Sequence, residues 1–119
     1  MDFKTILNEI VNNVDGAIGA GLVGTDGIVI DQVSTTGSFD ISDVGAEYAT
    51  IIKNAKKASE NFGLGKTNEI MISTDKAMMI IMMVGHEYFI NMALELDGNL
   101  GRGRLEVKRA IPKLEKELA

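Results

Sequence analysis

Along the chain the spacing of apolar positions switches between the helical and the strand period, and these switches mark eight elements. In residues 2–14, Phe3, Ile6, Leu7, Ile10, Val11 and Val14 fall on one helical face, and Gly16 stops the run. The stretches GAIGAGLVG (16–24) and IVIDQV (28–33) read as two strands joined by Thr25-Asp26-Gly27. Asp-Gly is a strong hairpin signal, and its usual turn places both central residues at positive φ. Gly19, Gly21 and Gly24 leave the first strand little side chain, which predicts close approach by another backbone or a helix.

A second helix is predicted over 41–62. Asp40 is placed to cap it, and Asp43 at N3 adds negative charge to the first turn. Phe39 before the cap and Val44 at N4 are placed for a hydrophobic staple, and Gly63 is a natural residue just past the end. At 100° per residue, Ile41, Val44, Gly45, Tyr48, Ile51, Ile52, Ala55, Ala58 and Phe62 cover an arc of roughly 140°. One packing surface needs less than that.

Three strands follow, at 68–74, 77–84 and 88–96, with Asp75-Lys76 and Gly85-His86-Glu87 as tight turns. The middle one, AMMIIMMV, is apolar on both faces, so the sheet must be covered on both sides. A last helix begins near Asn99, with Leu100, Gly103, Val107, Ala110, Ile111, Leu114 and Leu118 on one stripe. Pro112 lies on its solvent side and is expected to kink or restart the helix, because it lacks a backbone donor. The order is α-β-β-α-β-β-β-α. This predicts an α/β (α+β) fold with one five-stranded antiparallel sheet, one helix on one face and two on the other, in a single domain over residues 1–119.

Composition narrows the chemistry. The 119 residues contain no cysteine, which excludes disulfides and thiolate sites, and one histidine, His86, which cannot build a zinc site without several carboxylates gathered around it. A net charge of −5 argues against binding nucleic acid through its phosphates. The first residues, MDFKTILNEIVNN, lack the apolar core of a signal peptide, and the longest apolar run is far short of the ~20 residues of a membrane helix. A cytoplasmic protein with no membrane insertion is expected.

Two strings imitate nucleotide sites. GAGLVG (19–24) has the G-x-G-x-x-G spacing but lies inside a strand with a second strand after it, so no helix N-terminus is there for a pyrophosphate. GLGKT (63–67) has Glu60 where a P-loop needs its first glycine, and it leaves a helix to enter a strand, the reverse of the P-loop order. Neither implies a cofactor. Asp26, Asp40 and Asp43 have turn and cap roles, and Asp75, Glu87 and Asp97 sit at strand ends. No nucleophile-base pair or carboxylate pair emerges, so no catalytic residue is assigned and no enzyme is expected. Met71, Met78, Met79, Met82, Met83 and Met92 read as core of the central strands, with an adaptable binding surface as the alternative. The polar face of the second helix carries Glu47, Thr50, Lys53, Asn54, Lys57 and Glu60, either a solvated face or the rim of a docking site.

The order of elements and three segments together resemble the roadblock (dynein light chain) family, in particular its small bacterial or archaeal MglB-like members. The segments are the glycine-rich hairpin GAIGAGLVGTDGIVIDQV, the long helix followed by the meander, and NLGRGRLEVKRAIPKLEKEL, whose Asn99, Leu100, Gly101, Leu105 and Ala110 are similar to the family's C-terminal pattern. The resemblance covers essentially the whole chain and implies a profilin-like sheet. It also implies a homodimer in which the third strands pair edge to edge and the second helices pack together. Gly45, Tyr48, Ala49 and Ile52 of the helix and Ile70, Met71 and Ile72 of the strand are the expected interface; Glu47, Thr50, Lys53, Asn54 and Lys57 are the expected partner-binding residues. Family members bind Ras-like small GTPases or serve as adaptors. The MglB-like type activates its GTPase by repositioning the GTPase's own switch residues. Arg102, Arg104 and Arg109, the only arginines, lie in the last helix and are expected to be surface charges. The resemblance thus implies a homodimeric regulator of a Ras-like GTPase. The alternatives are an adaptor subunit without effect on nucleotide turnover and a small-ligand sensor.

Overall fold

Helix α1 (Phe3–Asn12) begins where Asp2 accepts a hydrogen bond from the Thr5 N–H at 2.8 Å. Hydrogen bonding from the Thr5 side chain, and after it this backbone bond, holds the Asp2 carboxyl below the ordinary aspartate value. Ile6, Leu7, Ile10 and Val11 are buried, and Val14, beyond the helix end, joins the same core. The computed structural model describes residues 2–35 and 40–119, the side chain of Ser42 excepted. The expected staple residue Phe39 lies outside the described residues.

Strands β1 (Ala17–Gly24) and β2 (Val29–Ser34) form the first hairpin. Its turn departs from the sequence expectation, since Gly27 alone has positive φ (+89°) and no non-glycine residue does among those described. The Gly27 N–H donates to the Gly24 carbonyl at 2.9 Å and the Gly24 N–H to the Ile28 carbonyl at 2.8 Å. This is a three-residue loop with one left-handed residue. Asp26 keeps a negative φ, and its carboxylate accepts the Ile28 N–H at 3.0 Å.

Helix α2 (Ile41–Asn61) ends in a Schellman motif at Gly63, φ +70°, where the Leu64 N–H donates to the Ser59 carbonyl and the Gly63 N–H to that of Glu60. Strands β3 (Glu69–Ser73), β4 (Met78–Val84) and β5 (Tyr88–Leu94) form the meander, and α3 (Leu100–Leu118) closes the chain with Asn99 accepting the Arg102 N–H at 3.0 Å. α3 runs through Pro112 as one helix, so the expected restart does not occur. Pro112 and Lys108, whose carbonyl loses its helical donor, are both exposed, and water can take that donor's place.

The strand order is β2-β1-β5-β4-β3, and every pairing is antiparallel. α1 and α3 cover one face, where Ala20, Leu22, Ile80, Met82, Ile90 and Met92 meet Leu7, Ile10, Val107 and Leu114. α2 lies on the other face, mainly over β1 and β2, with Val23, Ile81, Phe89 and Met79 beneath it. Met79, Met82 and Met92 are buried core, while Met71 is exposed. The glycines of β1 explain how α2 sits so close. A Cβ on Gly21 would stand 2.8 Å from Ile41 Cγ2, and one on Gly19 3.0 Å from Ile41 Cγ1.

Gly21→Val should therefore lower stability by about 1–3 kcal/mol in urea unfolding. Coupling it to Ile41→Ala should cost less than the sum of the single changes, because the shortened side chain vacates the space the valine needs.

Candidate interaction surface

The sheet ends in two unlike edges. On β2 the register shifts between Leu22 and Val23, the Gln32 N–H is taken by the Asp31 carboxylate at 2.8 Å, and Asp31 is paired with Lys4 at 3.4 Å. A bulge, a capped amide and charges are the usual devices that keep an edge from adding a strand. β3 pairs with β4 from Glu69↔Met82 to Ser73↔Met78 without a shift, and no such device appears on its outer side among the described residues.

Alternation along β3 divides its side chains. Ile70 and Ile72 stand opposite Ile81 and Met79, on the α2 face, and both are half-buried. Glu69, Met71 and Ser73 point to the α3 face. There the Glu69 carboxylate accepts two hydrogen bonds from Arg104, at 2.8 and 2.9 Å, which raise the guanidinium's pKa further. Met71, expected in one interface with Ile70 and Ile72, thus shares only their backbone edge.

On α2 the expected interface residues divide by exposure. Gly45, Ala49 and Ile52 face the chain's own sheet, and Ile52 is 0% and Ala49 4% exposed. A Cβ on Gly45 would stand 2.9 Å from Val23 Cγ2. These three small or buried positions let α2 approach the strands. The width of the apolar arc is real, but its surplus lies on the other flank. Val44 and Tyr48 pack beside Met79 and Ile72, Ala55 is half-buried, and Ile51 (44%) and Phe62 (81%) are exposed. This apolar flank and the Ile70–Ile72 strip lie on the same face of the sheet, beside the open edge. The arc already contained Ile51 and Phe62. What could have selected them is Gly45, because the smallest residue of the arc marks its closest approach to the sheet.

Glu47, Thr50, Lys53, Asn54 and Lys57 are all exposed on the outer surface of α2. Lys56 beside them is tied down, donating to the His86 carbonyl at 3.2 Å. Lys66 and Thr67 of GLGKT line a depression of about 360 Å³ that also includes Glu60 and Glu115, two carboxylates that would repel a phosphate. Each arginine is ion-paired: Arg104 with Glu69 at 2.8 Å, and Arg102 and Arg109 with the buried Glu106 at 3.0 and 3.4 Å. Among the described residues no cluster of potential metal ligands occurs, and no helix is long and apolar enough to cross a membrane.

The Roadblock/LC7 domain model matches residues 4–93. An uncharacterised protein of Methanocaldococcus jannaschii is 30% identical over 105 residues, 88% of this chain and 87% of that one. The crystal structure of MglC from Myxococcus xanthus is 31% identical, covers 98% of this chain and 99% of that one, and superposes with a TM-score of 0.70. Myxococcus xanthus MglB, at 18% identity, shares the fold with a TM-score of 0.85 over 99% of this chain and 98% of that one.

Ile52→Arg should abolish cooperative unfolding, because it buries an unpaired charge against the sheet. Lys53→Glu should move stability by no more than about 0.5 kcal/mol. Circular dichroism of the two variants checks both outcomes.

Proposed function

The chain belongs to the Roadblock/LC7 domain family, and from that premise we propose that it works as one half of a symmetric dimer that binds a Ras-like small GTPase in the cytoplasm. The observation that carries this reading is the continuity of an open strand edge with an apolar flank. β3 offers its unpaired backbone to a second copy, and Tyr48, Ile51 and Phe62 of one protomer cover Ile70 and Ile72 of the other. Two α2 helices then lie side by side over the seam. Their polar outer residues Glu47, Thr50, Lys53, Asn54 and Lys57 form one platform for the partner. Gly45, Ala49 and Ile52 serve that platform from beneath by seating the helix.

A GTPase gains no arginine finger from this platform. The three arginines belong to α3, on the opposite face, and each is held by a carboxylate. An effect on hydrolysis would therefore come from repositioning the GTPase's own switch residues. The same observation favours the second reading, an adaptor that leaves turnover unchanged.

Light scattering after size exclusion should give twice the 12.8 kDa chain mass for the wild type and a single chain mass for Ile51→Arg. A wild-type monomer would refute the dimer. The double variant Lys53→Glu/Lys57→Glu should keep the dimer mass while weakening, at least ten-fold, its complex with any GTP-loaded Ras-like GTPase that proves to be encoded near its gene. No complex with that GTPase in the wild type would refute the partner. Hydrolysis rates with and without the chain separate activator from adaptor.

A further inference from the structure

Helix α2 is the longest helix of the fold and is held far less densely than α1. Over its 21 residues only Ile41 and Ile52 are large and fully buried, whereas α1 buries Ile6, Leu7, Ile10 and Val11 within 10. The two faces are correspondingly unequal. Sixteen buried residues form the cluster under α1 and α3, against five and three in the clusters under α2, among the described residues.

Beneath α2 lies a group that this packing does not satisfy. Asn91, in the central strand β5 between Ile81 and Gly21, is fully buried on the α2 face. Among the described residues neither its Oδ1 nor its Nδ2 meets a hydrogen-bonding group. Its Nδ2 lies 3.5 Å from where a Cβ on Gly45 would stand, so the amide is shut in by the closest point of the helix. A buried amide without partners opposes the state that buries it, and that opposition vanishes once water reaches the group. Asn91 therefore acts against α2 specifically. At the helix's exit, Gly63 (φ +70°) and Gly65 (φ +84°) stand in open space, which gives the segment a soft tether.

We infer that α2 is a releasable cover, which lifts from the sheet as a unit while the α1/α3 side stays folded, and that Asn91 sets how readily it does so. Elements with few buried apolar contacts are the ones that open below the global unfolding free energy. A partner that touches α2 acts on this equilibrium, tightening or loosening the helix according to which state it binds better. The inference does not depend on the partner being a GTPase; a second copy seated on the flank of α2 would oppose its release, so the wild-type sequence and each variant below are compared in the single-copy form that Ile51→Arg gives.

Hydrogen exchange of the full chain at one fixed concentration tests it. In the wild type, α2 amides should exchange at least ten-fold faster than those of α1 and β5. Asn91→Leu, of similar shape and without polar atoms, should slow α2 exchange at least ten-fold. Asn91→Asp, which places a charge in the same position, should strip α2 of protection while α1 and α3 amides stay protected and the sheet's circular dichroism persists. If Asn91→Leu does not fold, the aspartate variant alone decides. One common exchange rate for α1 and α2, an unchanged α2 rate in Asn91→Leu, or whole-chain unfolding in Asn91→Asp would overturn the proposal.

Discussion

The structure depends on a strand pair that is apolar on both of its faces. β4 and β5 lie inside the sheet, and Ile80, Ile81, Met82, Phe89, Ile90 and Met92 alternate between two interiors. An antiparallel sheet can leave one face to water only when alternate positions are polar. Here, apart from the buried Asn91, they are not, so helices must lie on both sides. Two helices share one face and form a thick core. The single helix on the other face cannot span the whole sheet, and it covers β1 and β2 at the expense of β3. The half-buried Ile70 and Ile72, the apolar flank of α2 and the thin core around Asn91 all follow from that one shortfall.

Much of this was legible in the sequence, because the signals are local. Helical and strand periods located every element to within two residues at each end. Asp40, Gly63 and Asn99 bounded helices through the backbone groups they are able to satisfy, and the glycines of β1 did mark close approach. What was not legible was direction. A helical arc wider than one packing surface shows that two neighbours are needed, but not which flank each takes. Gly45 and Ala49 permit close packing against any neighbour, and the chain's own sheet claims them first. In the same way, Asp26 could have entered the left-handed region. It keeps a negative φ instead and accepts the Ile28 N–H through its side chain, a contact that no spacing rule contains. Pro112 broke a local rule at low cost because its position faces solvent.

The candidate surface has two chemically separate layers. The inner layer of α2 is small and apolar and sets how close the helix comes to the strands. The outer layer is charged and mixed in sign, and it holds no fixed partner beyond the Lys56 contact among the hydrogen bonds described for that surface. Recognition of another protein by such an outer layer is a matter of orientation and approach more than of depth.

The unlike edges of the sheet also limit how large an assembly can become. A sheet with two permissive borders can recruit neighbour after neighbour, and nothing in its geometry ends the series. With β2 bent by its bulge and its Gln32 amide already engaged, β3 is the edge left open to an added strand among the described residues. The first neighbour to arrive there uses up that capacity, so strand addition stops after one step. The chain can thus keep a backbone free for association without the hazard of fibril growth.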